Sequence, residues 1–190
     1  MNSSSYHHGS LRSALLNDAA EAISESGASG LSLRDLARRA GVSYAAPTYH
    51  FGDKAGLLTA LATQGFESLA DELESTERRT GDFIEVGVAY VRFALKHPAY
   101  FDVMYRRDLL HTGDSALMTA QARAEQALYT GTRQLSHHQL GDDIHLACVA
   151  AWSIVHGFAA LHLNRALPAR FSSDPEAAAR AIAGLLVRKG

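Results

Sequence analysis

The sequence predicts an all-α chain of about nine helices, and three observations carry that reading. No stretch alternates apolar and polar residues with the period of two that a half-buried strand requires. Apolar residues instead recur three and four apart, as in Leu11, Leu15, Leu16, Ala19 and Ile23. The stretches between these stripes hold helix punctuation: Ser32, Asp53 and Asp174 where helices would start, Gly27 and Gly41 where they would stop, and Pro98 and Pro175 at first-turn positions.

Taken in order, residues 1–10 are small and polar and read as loose, with Ser10 capping the first helix and Gly27 and Gly30 ending it. The next stretch, Ser32 to Phe51 (SLRDLARRAGVSYAAPTYHF), organises the rest of the chain. Ser32 is a good N-cap, and Asp35 sits in the first turn, where an acid favours the positive helix start. Leu33, Leu36, Ala37 and Ala40 form one apolar stripe, and Gly41 supplies the left-handed residue that closes the helix. Val42 then plugs the angle, and Ser43 caps a second short helix over 43–51. At 1.5 Å per residue that helix is roughly 13 Å long, matched to a major groove about 12 Å wide. Ala46, Tyr49 and Phe51 are assigned inward, and Tyr44, Ala45, Thr48 and His50 outward. Pro47 falls in the first turn, where a missing N–H forfeits at most one intrahelical bond.

Asp53 caps a long helix over about 55–79, with Lys54 in its first turn. Residues 82–97 are apolar except for one wet stripe of Glu85, Arg92 and Lys96. Pro98 ends that helix and begins another, since proline disfavours helix in the residue before it. A helix over 115–135 and a loop, SHHQLGDD, follow. Leu146 to Leu163 is an apolar run long enough to span a membrane, but His156, Gly157 and His162 inside it favour a buried interface helix, with no membrane partner. Asp174 caps a final Ala-rich helix to Lys189, whose Ala179, Ala183 and Gly184 permit close helix approach. The division expected is 1–56 for a helix-turn-helix domain and 57–190 for the remainder.

Hydrophobic residues at 47% and charged residues at 20% are ordinary globular values. No charged start with an apolar core marks a secretory signal, and one cysteine cannot form an internal disulfide, which together fit a cytoplasmic protein. The net charge of −2 excludes a general polycationic coat for nucleic acid. Residues 1–56 hold Arg12, Arg34, Arg38, Arg39 and Lys54 against Asp18, Glu21, Glu25, Asp35 and Asp53, a balance of zero. A neutral head neutralises few phosphates, so useful affinity calls for two heads.

The run GVSYAAPTYHFGDKAGLLTAL resembles the DNA-binding signature of the tetracycline-repressor (TetR) family of bacterial transcription regulators. With the upstream YHHGSLRSALLNDAAEAISESGASGLSLRDLARRA, the likeness covers Tyr6 to about Leu61 and departs from the common pattern at Pro47. Further on, WSIVHGFAAL is similar to the Trp-x-x-x-His-Gly motif of one subgroup of TetR C-terminal domains. The resemblance implies a regulator of double-stranded operator DNA, a homodimeric repressor released from a near-palindromic site by a small apolar or aromatic effector. It also implies a phosphate contact at Lys54, and subunit pairing through the last two long helices, with Ala151, Val155, Phe158, Ala159, His162, Ala179, Ala183 and Leu186 as the contact residues. Tyr44, Thr48 and His50 are the candidates for base edges or sugars, with Ala45 beside them as a further DNA-binding position. Ser32, Ser43, Tyr49 and Lys54 are the candidates for phosphates, with Arg34 and the Tyr6 to Arg12 arm as weaker ones.

The middle helices carry Phe66, Tyr90, Phe93, Phe101, Met104, Tyr105 and Met118, which read either as core or as the wall of an effector pocket. Buried tyrosine hydroxyls need partners, so Tyr90, Tyr105, Trp152 and His156 are its expected polar contacts. His156 also reads as a core histidine bonded to a backbone carbonyl, and Cys148 as a small buried hydrophobe. His137, His138, Asp142, Asp143 and His145 are suitable residue types for a metal, but their spacing matches no metal motif and a solvated loop is the plainer reading. No cofactor is expected. No phosphate loop, nucleophile elbow or paired-carboxylate signature supports an enzyme. The alternatives kept are a metal-responsive regulator, a ligand-independent DNA binder and, more remotely, an enzyme or carrier.

Overall fold

The computed structural model describes residues 3–132 and 143–186. Among these there are ten α-helices and no strand: α1 Ser3–Gly30, α2 Leu33–Arg39, α3 Ala45–Phe51, α4 Lys54–Thr80, α5 Phe83–Lys96, α6 Pro98–Met104, α7 Ser115–Thr132, α8 Ile144–Leu163, α9 Ala169–Ser172 and α10 Pro175–Ala183. Short 3-10 turns follow at Arg107–Leu109 and Gly184–Leu186. By packing, the chain forms two compact units, residues 1–65 with 98–119 and residues 66–97 with 120–190. This grouping is discontinuous in sequence and differs from the two-way division expected at residue 56.

In the first unit, α1 begins at Ser3, so Ser10 lies inside the helix rather than at its cap. Leu15, Leu16, Ala19 and Ile23 are buried as one stripe and pack with Leu36 and Ala37 of α2 and Leu57, Leu58 and Leu61 of α4 into the unit's core. The helical path breaks at Gly27, whose φ of 74° is left-handed. The Ala28 N–H beyond this break is 3.4 Å from its acceptor, Oδ2 of Asp102 on α6. Ser32 caps α2 as expected, its hydroxyl accepting the Asp35 N–H, and Gly41 leaves α2 at φ 65°.

In the second unit, α5, α8 and α10 pack on one another. Asp82, Asp143 and Asp174 cap the three helices by accepting first-turn N–H groups, at 2.8 Å for Ile84, 3.0 and 3.1 Å for His145 and Leu146, and 3.0 Å for Ala177. The glycine at position 87 sits where the three helices meet, since a Cβ there would lie 3.3 Å from Val155 and 3.6 Å from Ala183. The expected wet stripe of α5 is partly covered: Lys96 is exposed, while Glu85 and Arg92 are half-buried against α10. Arg92 makes a bidentate pair with Glu176 of α10 at 2.7 and 2.8 Å, and Glu85 one with Arg180 at 2.6 and 3.0 Å. The last helix ends at Ala183, earlier than the sequence reading, which carried it to Lys189; residues 187–190 lie outside the described residues.

Candidate functional site

The first unit holds the helix-turn-helix rigidly. Arg39 on α2 forks onto Glu25 at 2.8 and 2.9 Å and reaches Glu21 at 2.8 Å, which locks α2 against α1. The Arg12 guanidinium lies 5.3 Å from the centre of the Phe51 ring, tying α1 to the end of α3. On the far side, the Asp53 carboxylate accepts the Gly56 N–H at 2.7 Å and meets His111 Nε2 at 3.0 Å. These hydrogen bonds, the Gly56 one first, hold the Asp53 carboxyl below its ordinary range. Gly56 is required by close approach: a Cβ there would overlap the Phe51 carbonyl oxygen.

The recognition helix α3 presents one wet face and one packed face. Tyr44 is 60% exposed and Tyr49 76%, and Ser43, Ala45 and Thr48 are exposed with them. At about 100° per residue, Tyr44, Ala45, Thr48 and Tyr49 span an arc of roughly 140°. The opposite arc packs inward through buried Pro47 and half-buried Ala46, His50 and Phe51. Two assignments therefore change. Tyr49 points outward rather than inward, and the inner position belongs to Pro47. Pro47 is the third residue of α3, where no intrahelical partner awaits its N–H, so the ring fills the core side at no hydrogen-bond cost. The helix starts at Ala45, and Ser43 contributes through its carbonyl, which accepts the Ala46 N–H at 3.0 Å.

Around this face most cations are already engaged. Arg38 pairs with Asp35 at 3.1 Å, and Lys54 Nζ donates to the Ser29 carbonyl at 2.8 Å. Arg34 lies 5.3 Å from the centre of the exposed Tyr44 ring, beside the wet face. His50 meets Tyr49 edge-on at 5.3 Å, and Ser32 is half-buried and occupied as a cap.

The residues expected to line an effector pocket separate between the units. In the second unit Phe66 and Phe93 are buried, and Tyr90 is 1% exposed. The Trp152 indole N–H donates to the Tyr90 hydroxyl oxygen at 3.1 Å, and that oxygen lies 2.9 Å from Nδ1 of His156. The neutral imidazole protonated on Nε2 lets the Tyr90 O–H donate to Nδ1. Burial favours that form, since it lowers the His156 pKa. The Trp-x-x-x-His spacing thus places two rings one helical turn apart on α8 so that both close on one phenol of α5. Of the four polar tips expected to meet an effector, Tyr90, Trp152 and His156 meet each other.

In the first unit Phe101 and Met104 are buried, Tyr105 packs edge-on to Phe101 at 5.8 Å, and the Met104 thioether packs on Gly65. Met118, by contrast, is 55% exposed. A narrow apolar cavity of about 20 Å³ in the second unit is lined by Phe83, Gly87, Leu128, Cys148, Trp152 and Val155 among others. It has room for about one water.

The expected subunit-contact residues also need correction. Ala151, Val155, Phe158 and Ala159 of α8 and Ala179 and Ala183 of α10 are each at most 6% exposed within their own chain. They are the core of the α5, α8 and α10 packing, while His162 and Leu186 are half-buried. The exposed apolar side of α8 is a different one, with Leu146 at 65%, Val149 at 54% and Leu161 at 49%; Leu185 of the last turn is also exposed, at 62%. Sequence pattern missed it because the 146–163 run is apolar all round; the small residues Ser153 and Gly157 on the outer side were the available signal. Among the described residues α8 is the one helix long and apolar enough to cross a membrane. Of the suspected metal loop, His137, His138 and Asp142 lie outside the described residues. Asp143 is spent on capping α8, and His145 stacks on Tyr129 at 5.1 Å.

Residues 15–61 match the profile of bacterial regulatory proteins of the tetR family, and residues 83–186 match that of the tetracyclin repressor-like C-terminal domain. A solved protein of unknown function from Rhodococcus sp. RHA1 is 32% identical, with 96% of each chain covered and a TM-score of 0.79. The TetR-family transcriptional regulator PfmR from Thermus thermophilus shares the fold at 24% identity, with 92% of this chain and 97% of that one covered and a TM-score of 0.68. AibR, solved with isovaleryl coenzyme A and operator DNA, shares it at 17% identity, with 93% and 98% covered and a TM-score of 0.66. Among curated proteins, none matches the chain in sequence.

Proposed function

Because the chain belongs to the tetR family of bacterial regulatory proteins, and is thus a DNA-binding transcription regulator rather than an enzyme, we propose that it acts in the cytoplasm as a homodimeric, effector-released repressor. DNA binding is assigned to residues 1–56, and effector binding and dimerisation to 57–190. The observation that carries the DNA reading is the outward face of α3, where Tyr44, Ala45, Thr48 and Tyr49 stand exposed on a helix fixed from behind by Pro47 and by the Arg12–Phe51 contact. Inserted in a major groove, that face meets base edges and sugars, while Ser43, Lys54 and the Arg34 side chain flank it toward phosphates. Two heads on a near-palindromic operator compensate for the low charge of each.

The partner subunit is a second copy, seated on the exposed apolar side of α8 around Val149 and Leu161 and on Leu185 of the last turn. The effector is small and apolar or aromatic, and it is taken up in the second unit near Phe66, Phe93 and the Tyr90 cluster. It releases DNA by binding the free state more tightly than the DNA-bound state, as any population shift requires. Gel-shift titration with DNA from beside the protein's own gene tests the reading. A specific, salt-sensitive complex weakened by apolar acids, aromatics or acyl thioesters is expected. Absence of any sequence preference sinks it.

A further inference from the structure

The recognition face has an unusual chemical make-up for a surface that must choose among base pairs. Residues 43–51, SYAAPTYHF, contain no Arg, Lys, Asn, Gln, Asp or Glu. Bidentate recognition of guanine uses Arg or Lys, bidentate recognition of adenine uses Asn or Gln, and carboxylates accept from cytosine. None of these groups is available on α3. What α3 and its N-cap Tyr44 do expose is apolar and aromatic: the Tyr44 and Tyr49 rings, the Ala45 methyl and the Thr48 side chain.

The cations nearby do not fill the gap. Arg39 is held by Glu21 and Glu25, Arg38 by Asp35, and Lys54 by the Ser29 carbonyl. Arg34 stands off α3 on the preceding helix, over the Tyr44 ring. In the major groove the one base feature that an apolar or aromatic surface can tell from all others is the C5-methyl group of thymine.

We propose that this protein selects its operator chiefly through thymine methyl groups, packed by Tyr44, Ala45, Thr48 and Tyr49, so that the half-site positions under α3 are A·T pairs with thymine facing this surface. The hydroxyls of Thr48 and the two tyrosines add single hydrogen bonds to base edges or sugars and position the helix. The inference rests on the DNA-binding reading above, with α3 as the element in the groove, and specifies what that element recognises.

The test separates the two. Full-length protein is first used to enrich sequences from a random duplex pool at fixed low salt. The enriched operator is then synthesised with deoxyuridine in place of thymidine, one half-site position at a time, which removes only the methyl. Each contacted methyl should be worth roughly threefold to fivefold in affinity, and uridine at flanking thymines should change nothing. Thr48→Ser removes the side-chain methyl and keeps the hydroxyl, so uridine at its partner position should cost that variant little. Tight, selective binding that is indifferent to uridine at every half-site position overturns the methyl-reading inference and leaves the regulator intact. Enrichment of invariant guanines whose N7 is shielded from dimethyl sulfate in the complex does the same. A pool that yields no enrichment overturns both.

Discussion

The hydroxyl of Tyr90 on α5 lies 2.9 Å from Nδ1 of His156 on α8, and the Trp152 indole N–H closes on the same oxygen at 3.1 Å. One phenol, itself buried, thereby joins two helices of the second unit through part-buried hydrogen bonds, which cost more when broken than the same bonds at a surface. Tyr90→Phe keeps the ring and removes only the shared oxygen. It should destabilise the protein by about 1–3 kcal/mol, measured by urea unfolding, with particle mass and helix content unchanged. No loss of stability would show the cluster to be incidental.

The same pair makes an acid-sensitive joint. Burial lowers the His156 pKa below its ordinary 6.5, so the folded state favours the neutral ring that accepts from Tyr90. For a depressed pKa, the contribution to stability is complete above the unfolded value and is lost as pH falls through the folded one. The melting temperature should therefore drop as pH is lowered from about 7.5 toward about 5, and His156→Gln should flatten that part of the profile. An equal slope in the variant assigns the acid loss to other groups.

Tyr49 shows where sequence reading reached its limit. The helix-turn-helix, its Ser32 cap and its Gly41 exit were legible because each depends on local backbone chemistry that a few residues dictate. Which way a side chain points on a seven-residue helix depends on its start, and moving that start by one or two residues rotates every assignment by about 100° or 200°. Pro47, read as a departure from the family pattern, is the residue that fills the inner side. Tyr49→Ala should accordingly leave the unfolding free energy within about 0.5 kcal/mol of wild type and weaken operator binding. A large stability loss would return Tyr49 to the core.

Gly56 offers a sharper test of the head. A methyl at this position would overlap the Phe51 carbonyl, where the start of α4 crosses the end of α3. Backbone cannot yield there as a flexible side chain could, and overpacking costs typically about 1–3 kcal/mol. Gly56→Ala should therefore lower stability by about that amount and abolish specific DNA binding, because α3 must shift. By contrast Gly157→Ala meets open space and should fold normally.

The two sides of α8 explain why subunit pairing was harder to read than the helix itself. An all-apolar helix carries no periodic mark of which side meets its own chain, and only packing against α5 and α10 assigns Val155 to the core and Val149 to the outside, at 6% and 54% exposure. The difference predicts opposite outcomes for the same substitution. Val149→Arg places a charge on the proposed partner surface. It should give a folded monomer by light scattering, with operator affinity reduced by about a hundredfold or more through loss of bivalent binding. Val155→Arg forces that charge into a closed core and should unfold the second unit, seen as lost helix signal at room temperature. If Val149→Arg remained a dimer of full operator affinity, the pairing surface would have to be sought elsewhere on the second unit.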